Sequence, residues 1–281
     1  MSYLFRKLKY FLYTAETNCN NLAIAIFIMF VFAILYSNCV FADQLPVPDS
    51  NNKFITSIDT SRNYFNKALL LAKAGNHKAA ISLLDLAINL DPKYVDAYIA
   101  RASISEKSGN LKSALVDYTH ALNIRPSDKI YYERGVIELA LKAFGDAARD
   151  FTTAIEINPQ FARAYNERGI AFLANNMLNE AKNDFIRAFE LNDKILSALE
   201  KIGEINMAQA KFEQALQNFN KLIELKPNDA KAYFNRGQVY ESLQIHDKAL
   251  QDYNKGIELN NNFDNSNDPD NKDKEANSHS I

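Results

Sequence analysis

Residues 128–161 read DKIYYERGVIELALKAFGDAARDFTTAIEINPQF, and the fold follows from how this stretch recurs. At a shift near 34 residues it finds counterparts at 61–94, 95–127, 162–195, 196–229 and 230–263. Within each unit, position 4 is Tyr64, Tyr98, Tyr131, Tyr165, Leu199 and Tyr233, and position 8 is Ala68, Ala102, Gly135, Gly169, Gly203 and Gly237. Position 20 is alanine throughout, from Ala80 to Ala249, and position 24 is Leu84, Tyr118, Phe151, Phe185, Phe219 and Tyr253. Position 27 is Ala87, Ala121, Ala154, Ala188, Leu222 and Gly256, and position 32 is proline at 92, 126, 159 and 227. Small residues at 8, 20 and 27 let two helix backbones approach closely, and bulky side chains at 4 and 24 fill the space beside them. A polar or glycine turn near 15–16, as in Gly75-Asn76 and Gly109-Asn110, separates the helices. Proline at 32 ends the second helix, because it has no N–H to donate and clashes with the preceding turn. One such hairpin cannot bury both faces, so the units must stack.

This pattern resembles the tetratricopeptide repeat over residues 61–263. The departures are Leu199 for the aromatic in unit five, and Asp193 and Asn261 for proline in units four and six. The resemblance implies an all-α fold: a right-handed α-solenoid of six tandem hairpins, with a concave groove lined by the first helix of each unit. It further implies a protein-binding scaffold without intrinsic catalysis. In that geometry positions 5, 9 and 12 of the first helices face the groove. They include Phe65, Leu69 and Ala72 in unit one, Ile99 in unit two, Tyr132, Val136 and Leu139 in unit three, and Asn166, Ile170 and Leu173 in unit four. Unit five supplies Glu200, Glu204 and Met207, and unit six Phe234, Gln238 and Glu241. The groove is therefore expected to be apolar toward units three and four and acidic toward its C-terminal end, suiting a peptide with apolar anchors and a basic flank. Neighbouring helices, or the preceding Phe54 and Ile55, could instead cover these side chains. The lysine and asparagine pattern that the family uses to clamp cytosolic heat-shock chaperone tails is missing: Phe65 and Leu69 stand at its first positions, Ala100 at the next, and Lys129 is followed by Glu133. Such tails are not expected as partners.

A second regularity lies outside that signature. Position 7 is Arg101, Arg134, Arg168 and Arg236 in units two, three, four and six, and position 23 in the same units is Asp117, Asp150, Asp184 and Asp252. Unit one has Lys67 with Leu83, and unit five Ile202 with Asn218. Positions 7 and 23 lie at similar heights in an antiparallel hairpin, so four internal Arg–Asp pairs are expected, bidentate where geometry allows. The competing view is that these are solvated residues echoing duplication of one unit.

The N-terminal segment sets the compartment. Arg6, Lys7 and Lys9 precede an uncharged run from Leu22 to Ala42. A run of this length can span the ~30 Å hydrocarbon core as a helix. The basic flank keeps the N-terminus cytoplasmic and sends the remainder across. Val40 and Ala42 suit signal cleavage before Asp43; without cleavage the run is a signal anchor. Residues 43–60, with Pro46 and Pro48, read as an extended linker. The Asn-rich tail, 264–281, has too few apolar residues to pack and is expected to be disordered. Asp264, Ser266, Asp268, Asp270 and Glu275 mimic a calcium-loop spacing, but Pro269 stands where glycine makes the sharp turn.

Composition narrows the function. The chain has 281 residues, is 47% hydrophobic and carries only 8 Gly and 7 Pro, which disfavours an all-β fold. A net charge of -2 argues against a nucleic-acid surface. Both cysteines precede residue 43, so the exported part forms no disulfide. No Gly-rich phosphate loop, HExxH, CxxC or Ser-His-Asp order is present, so no cofactor, metal or catalytic residue is assigned. The expected function is a non-catalytic scaffold exported to a bacterial envelope, periplasmic or anchored to the inner membrane through 22–42. The Asn/Lys/Ile-rich composition suggests the bacterial setting. The alternative is an adaptor subunit of an envelope enzyme complex whose catalysis lies in the partner.

Overall fold

The computed structural model describes residues 53–266, and these form twelve helices with no strand among them. They pair in order: α1 (Lys53–Lys73) with α2 (His77–Leu90), α3 (Val95–Lys107) with α4 (Leu111–Ile124), and α5 (Asp128–Ala140) with α6 (Phe144–Ile157). Then come α7 (Ala162–Ala174) with α8 (Leu178–Leu191), α9 (Leu196–Ala208) with α10 (Phe212–Leu225), and α11 (Ala230–Ser242) with α12 (His246–Ser266). Each even-numbered helix from α2 to α10 also packs on the first helix of the following hairpin. This is the continuous stack that hairpins with two apolar faces require.

The packing inside each hairpin is a close approach. Ala80, Ala114, Ala147, Ala181 and Ala215, at position 20, have no exposed surface. The position-24 rings Phe151, Phe185 and Phe219 are equally buried. Opposite them, position 8 has no room for a larger residue. A Cβ added to Gly135 would stand 2.8 Å from Phe151, and one added to Gly203 would stand 2.7 Å from Phe219. Where position 8 is alanine, its partner is Leu84 or Tyr118.

Local chemistry sets the helix ends. Five of the six second helices stop two residues before position 32, including α8, which has Asp193 and not proline there. Three of these ends are closed by the residue at position 31: Asn192 Oδ1 accepts from Lys194 N at 3.1 Å, and Asp91 and Asn158 make the same turn-closing bond. In the other two, Arg125 and Lys226 stand there and proline follows. The last described second helix, α12, has Asn260 and Asn261 at positions 31 and 32, and it continues to Ser266. The expected tail boundary at 264 is thus three residues early. The expected linker also needs correction: helix α1 already includes Lys53 to Thr60, a stretch with no proline or glycine to oppose it. The signal or anchor reading of 1–42, the remainder of the linker, and the tail beyond Ser266 lie outside the described residues. No described helix is long and apolar enough to cross a membrane.

Position 15 occupies the left-handed region in every hairpin. Gly75 and Gly109 have φ of 81° and 77°, but Lys142, Asn176, Ala210 and Gln244 hold φ between 55° and 61°. An L-residue there costs about 1–2 kcal/mol, which glycine avoids. Lys142→Gly and Ala210→Gly should therefore each stabilise the array by about 0.5–1 kcal/mol after the entropy cost of glycine in the unfolded chain. Gly75→Ala should destabilise it comparably, although a Cβ would meet nothing within 4 Å. Urea denaturation of the three variants checks this; a less stable Ala210→Gly would contradict it.

Candidate binding groove

The odd-numbered helices form one face of the array and the even-numbered helices the other. Helix α5 approaches α7, and α9 approaches α11, whereas no two even-numbered helices come as close among the described residues. The array is therefore tighter on its odd-helix side, which makes that side the concave one.

The expected groove residues all lie on odd-numbered helices, at different depths. Leu69 is exposed, and Phe65, Ala72, Ile99, Val136, Leu139, Ile170 and Leu173 are partly exposed. Phe65 packs on Tyr94, with ring centroids 5.0 Å apart, and Tyr132 packs on Phe161 at 4.9 Å. Phe234 lies against Gly256 and Tyr253. Asn166 is buried. Neighbouring helices thus cover part of each aromatic, and the aliphatic strip from Ile99 to Leu173 keeps free surface. The side chains of Phe54 and Ile55 lie outside what is described.

The acidic C-terminal end takes a different form from the expected one. Glu200 and Glu204 are on the face, but Lys231 of α11 pairs with both, and Lys201 Nζ meets Glu204 Oε2 at 2.6 Å. Burial works to raise the Glu204 pKa, and the two lysines outweigh it and hold the carboxyl below its ordinary value. Glu200 and Glu204 are therefore neutralised from within, whereas Glu241 of α11 accepts from the Tyr253 hydroxyl at 2.7 Å.

Unpaired negative charge sits instead mid-array, on residues at positions 6 and 12. Glu106 on α3, Glu133 on α5 and Glu167 on α7 form no ion pair among the described residues. Burial raises the pKa of Glu133, Glu106 raises it further, and Arg163 opposes them. Burial likewise raises Glu167, against a hydrogen bond from Asn166. The hydroxyl of Tyr132 is pushed up to about 12 by burial and by Glu167 and Glu133. Positions 5, 9 and 12 include Glu106 but miss Glu133 and Glu167, which stand at position 6; reading position 6 alongside them across units two to four would have found the cluster.

The even-helix side holds the arginine ladder. Arg134 Nε and Nη2 donate to the two carboxylate oxygens of Asp150 at 2.6 and 2.8 Å, and Arg168 does so to Asp184 at 2.7 and 2.8 Å. Arg101 with Asp117 and Arg236 with Asp252 have the same two-pronged geometry. The aspartates are 3–6% exposed. Each guanidinium lies 5.5–5.8 Å from the ring of the position-4 tyrosine of its own unit. Its remaining nitrogen reaches position 25 of the preceding hairpin: Nη1 of Arg101, Arg134, Arg168 and Arg236 donates to Asp85, Thr119, Thr152 and Asn220 respectively. One side chain therefore closes a hairpin and ties it to its neighbour.

The ladder is interrupted between hairpins four and five. There Leu199, Ile202 and Asn218 replace tyrosine, arginine and aspartate, and position 25 of the preceding unit is Ile186. Buried Asn206 bridges the gap, donating to Asn218 Oδ1 at 2.8 Å and accepting from Lys182 Nζ at 2.6 Å. An open cleft of about 510 Å³ remains beside Ile186 and Ile202. The replacements at positions 4, 7 and 23 are legible in the repeat alignment, whereas Ile186 stands at a position with no constant residue type. Among the described residues, no group of three or more His, Cys, Asp or Glu is placed to hold a metal ion.

Two predictions follow from the ladder. Asp184→Ala leaves a partly buried guanidinium without its bidentate partner and should cost about 3 kcal/mol in urea denaturation. Asp146→Ala, which removes the exposed ion pair with Arg149, should cost less than about 0.5 kcal/mol. Equal effects would contradict the assignment. The second concerns Glu138 of α5, 9% exposed and beside the Arg134–Asp150 pair, with Oε2 lacking a hydrogen-bond partner. Burial, and then Asp150, push its pKa from 4.5 up to about 7. Between those values the folded state holds more protons than the unfolded one, so Glu138 makes stability fall as pH rises through the window. Glu138→Gln should raise the Tm at pH 8 relative to the parent and change it little at pH 4; an unchanged difference between the two pH values would contradict this.

The repeats match family models along most of 61–263. Models described as tetratricopeptide repeat match residues 61–94, 95–128, 129–190 and 230–263, and one described as TPR repeat matches 203–244. Among curated relatives, tetratricopeptide repeat protein 36 of Bos taurus is 31% identical over 102 residues, 34% of this chain and 54% of that one. Tetratricopeptide repeat protein 13 of Homo sapiens is 27% identical over 99 residues, 34% of this chain and 12% of that one. The chain thus spans about half or less of these relatives' length. Among solved structures, a tetratricopeptide repeat protein from Parabacteroides merdae superposes with a TM-score of 0.63 at 22% identity, covering 72% of this chain and 80% of that one. YrrB, described as a TPR protein with an unusual peptide-binding site, superposes with a TM-score of 0.55 at 23% identity, covering 64% and 95%. Helical hairpins, repeat signature and matched models agree, and the chain belongs to the tetratricopeptide repeat family.

Proposed function

We propose that this protein is a non-catalytic scaffold that binds a protein or peptide along its concave face, and that it does so outside the cytoplasm. The observation that carries the binding reading is the strip of partly exposed aliphatic side chains, Ile99, Val136, Ile170 and Leu173, on three successive first helices. A helix face needs no such residues for solubility, and their alignment on one face suits an extended or helical segment with regularly spaced apolar anchors. The peptide-binding site named for the structural neighbour YrrB supports the same reading. The export reading rests on Arg6, Lys7 and Lys9 ahead of the uncharged run 22–42, which either is cleaved or anchors the protein in the inner membrane of a bacterial envelope.

Val136→Asp combined with Ile170→Asp should abolish capture of partners crosslinked in the native host, while the helical signal and Tm stay near the parent's. Capture that survives would move the interface off the concave face. A phosphatase reporter fused after Ile281 should be active if the repeats are exported. An inactive phosphatase paired with a bright cytosolic fluorescent fusion would contradict export.

A further inference from the structure

We propose that Glu106, Glu133, Glu167 and Asn166 form a subsite for a cationic side chain, lysine or arginine, of the segment bound in the groove. This rests on the concave-face reading above and adds the chemistry of one position. The four residues belong to α3, α5 and α7, beside the aliphatic strip. The three carboxylates form no ion pair among the described residues, and the cation acting on Glu133 is Arg163, whose side chain is exposed. Burial of Glu133 and Glu167, and the charge of Glu106 beside Glu133, raise the energy of the empty site, and a donor-rich cation relieves that cost on binding.

The independent observation is Asn166. It is 8% exposed, its Nδ2 donates to Glu167 Oε1 at 3.1 Å, and its Oδ1 is buried with no donor. Flipping the amide would set Oδ1 against the carboxylate oxygen, so the hydrogen bond fixes its orientation. The cluster therefore offers acceptors, and an acceptor left bare in a buried setting asks for an N–H from elsewhere. Glu200 and Glu204 on the same face provide the contrast. There Lys201 and Lys231 neutralise the carboxylates from within, whereas mid-array the fold leaves the matching cation out. The aliphatic neighbours Val136 and Ile170 place apolar anchors beside the cation.

The test is selection of a displayed library of random 12-residue peptides on the full chain in neutral detergent. Enriched peptides should carry lysine or arginine beside apolar residues. Their affinity should fall at least tenfold in Glu133→Gln/Glu167→Gln, whose Tm should be unchanged or raised, and should weaken steeply with salt. Peptides that bind the glutamine variant as tightly as the parent, but are lost in Val136→Asp/Ile170→Asp, would overturn the cation subsite and leave the groove standing. Peptides indifferent to both double variants would overturn the groove as well. Enrichment of acidic peptides, or of none, counts against the subsite.

Discussion

Everything in this array depends on one close approach per hairpin: a residue of at most one side-chain carbon at position 8 against the bulky side chain at position 24. Gly135 and Phe151 show the constraint most sharply, since a single added carbon would stand 2.8 Å from the ring. That contact fixes the distance between the two helices, and the fully buried alanines at positions 20 and 27 keep it small on either side. Interiors packed this densely have two consequences. The hairpins become rigid tiles that can stack only in one register. Apolar residues not used in the tiling remain exposed on both faces, Leu69 on the odd-helix side and Val116 and Leu250 on the even-helix side, and on the odd-helix side the partly exposed Ile99, Val136 and Ile170 fall on successive first helices.

The arginine ladder converts stacked tiles into a tied array. Each ladder arginine makes two bonds to its own hairpin and one to the preceding hairpin, over a tyrosine platform. Carboxylates this deeply buried are costly unless matched, so arginine at position 7 and aspartate at position 23 occur together or not at all. The fifth unit demonstrates this, because Leu199, Ile202 and Asn218 change together with Ile186 of the unit before. The contrast between the two faces is chemical. The even-helix side satisfies its aspartates with built-in arginines, whereas the mid-array glutamates of the odd-helix side keep theirs open.

Much of this was legible in the repeat alone. The spacing of small and bulky residues gives the helices, their pairing and the positions that touch. The joint presence of arginine at 7 and aspartate at 23 points to their contact. Three features were hidden for physical reasons. The left-handed residue at position 15 carries no glycine signal in Lys142 or Ala210, because tertiary packing imposes the conformation at the residue's expense. The third arm of each arginine reaches a position occupied variously by Asp85, Thr119, Thr152 and Asn220, so no single residue type marks it. The neutral C-terminal end of the groove depends on Lys231, one hairpin beyond the glutamates it pairs with. Helix α1 begins within the expected linker because proline at 46 and 48 acts only on its own neighbours and leaves Lys53 onward free to coil.

Site-specific photocrosslinking distinguishes partner binding on the odd-helix face from binding elsewhere. A benzophenone amino acid placed at Ile170, on α7, is compared in the native host with one placed at Val116, on α4, which is 55% exposed on the opposite face. Covalent adducts from position 170 and none from position 116 are the predicted result. Adducts from position 116 with none from position 170 would contradict the account.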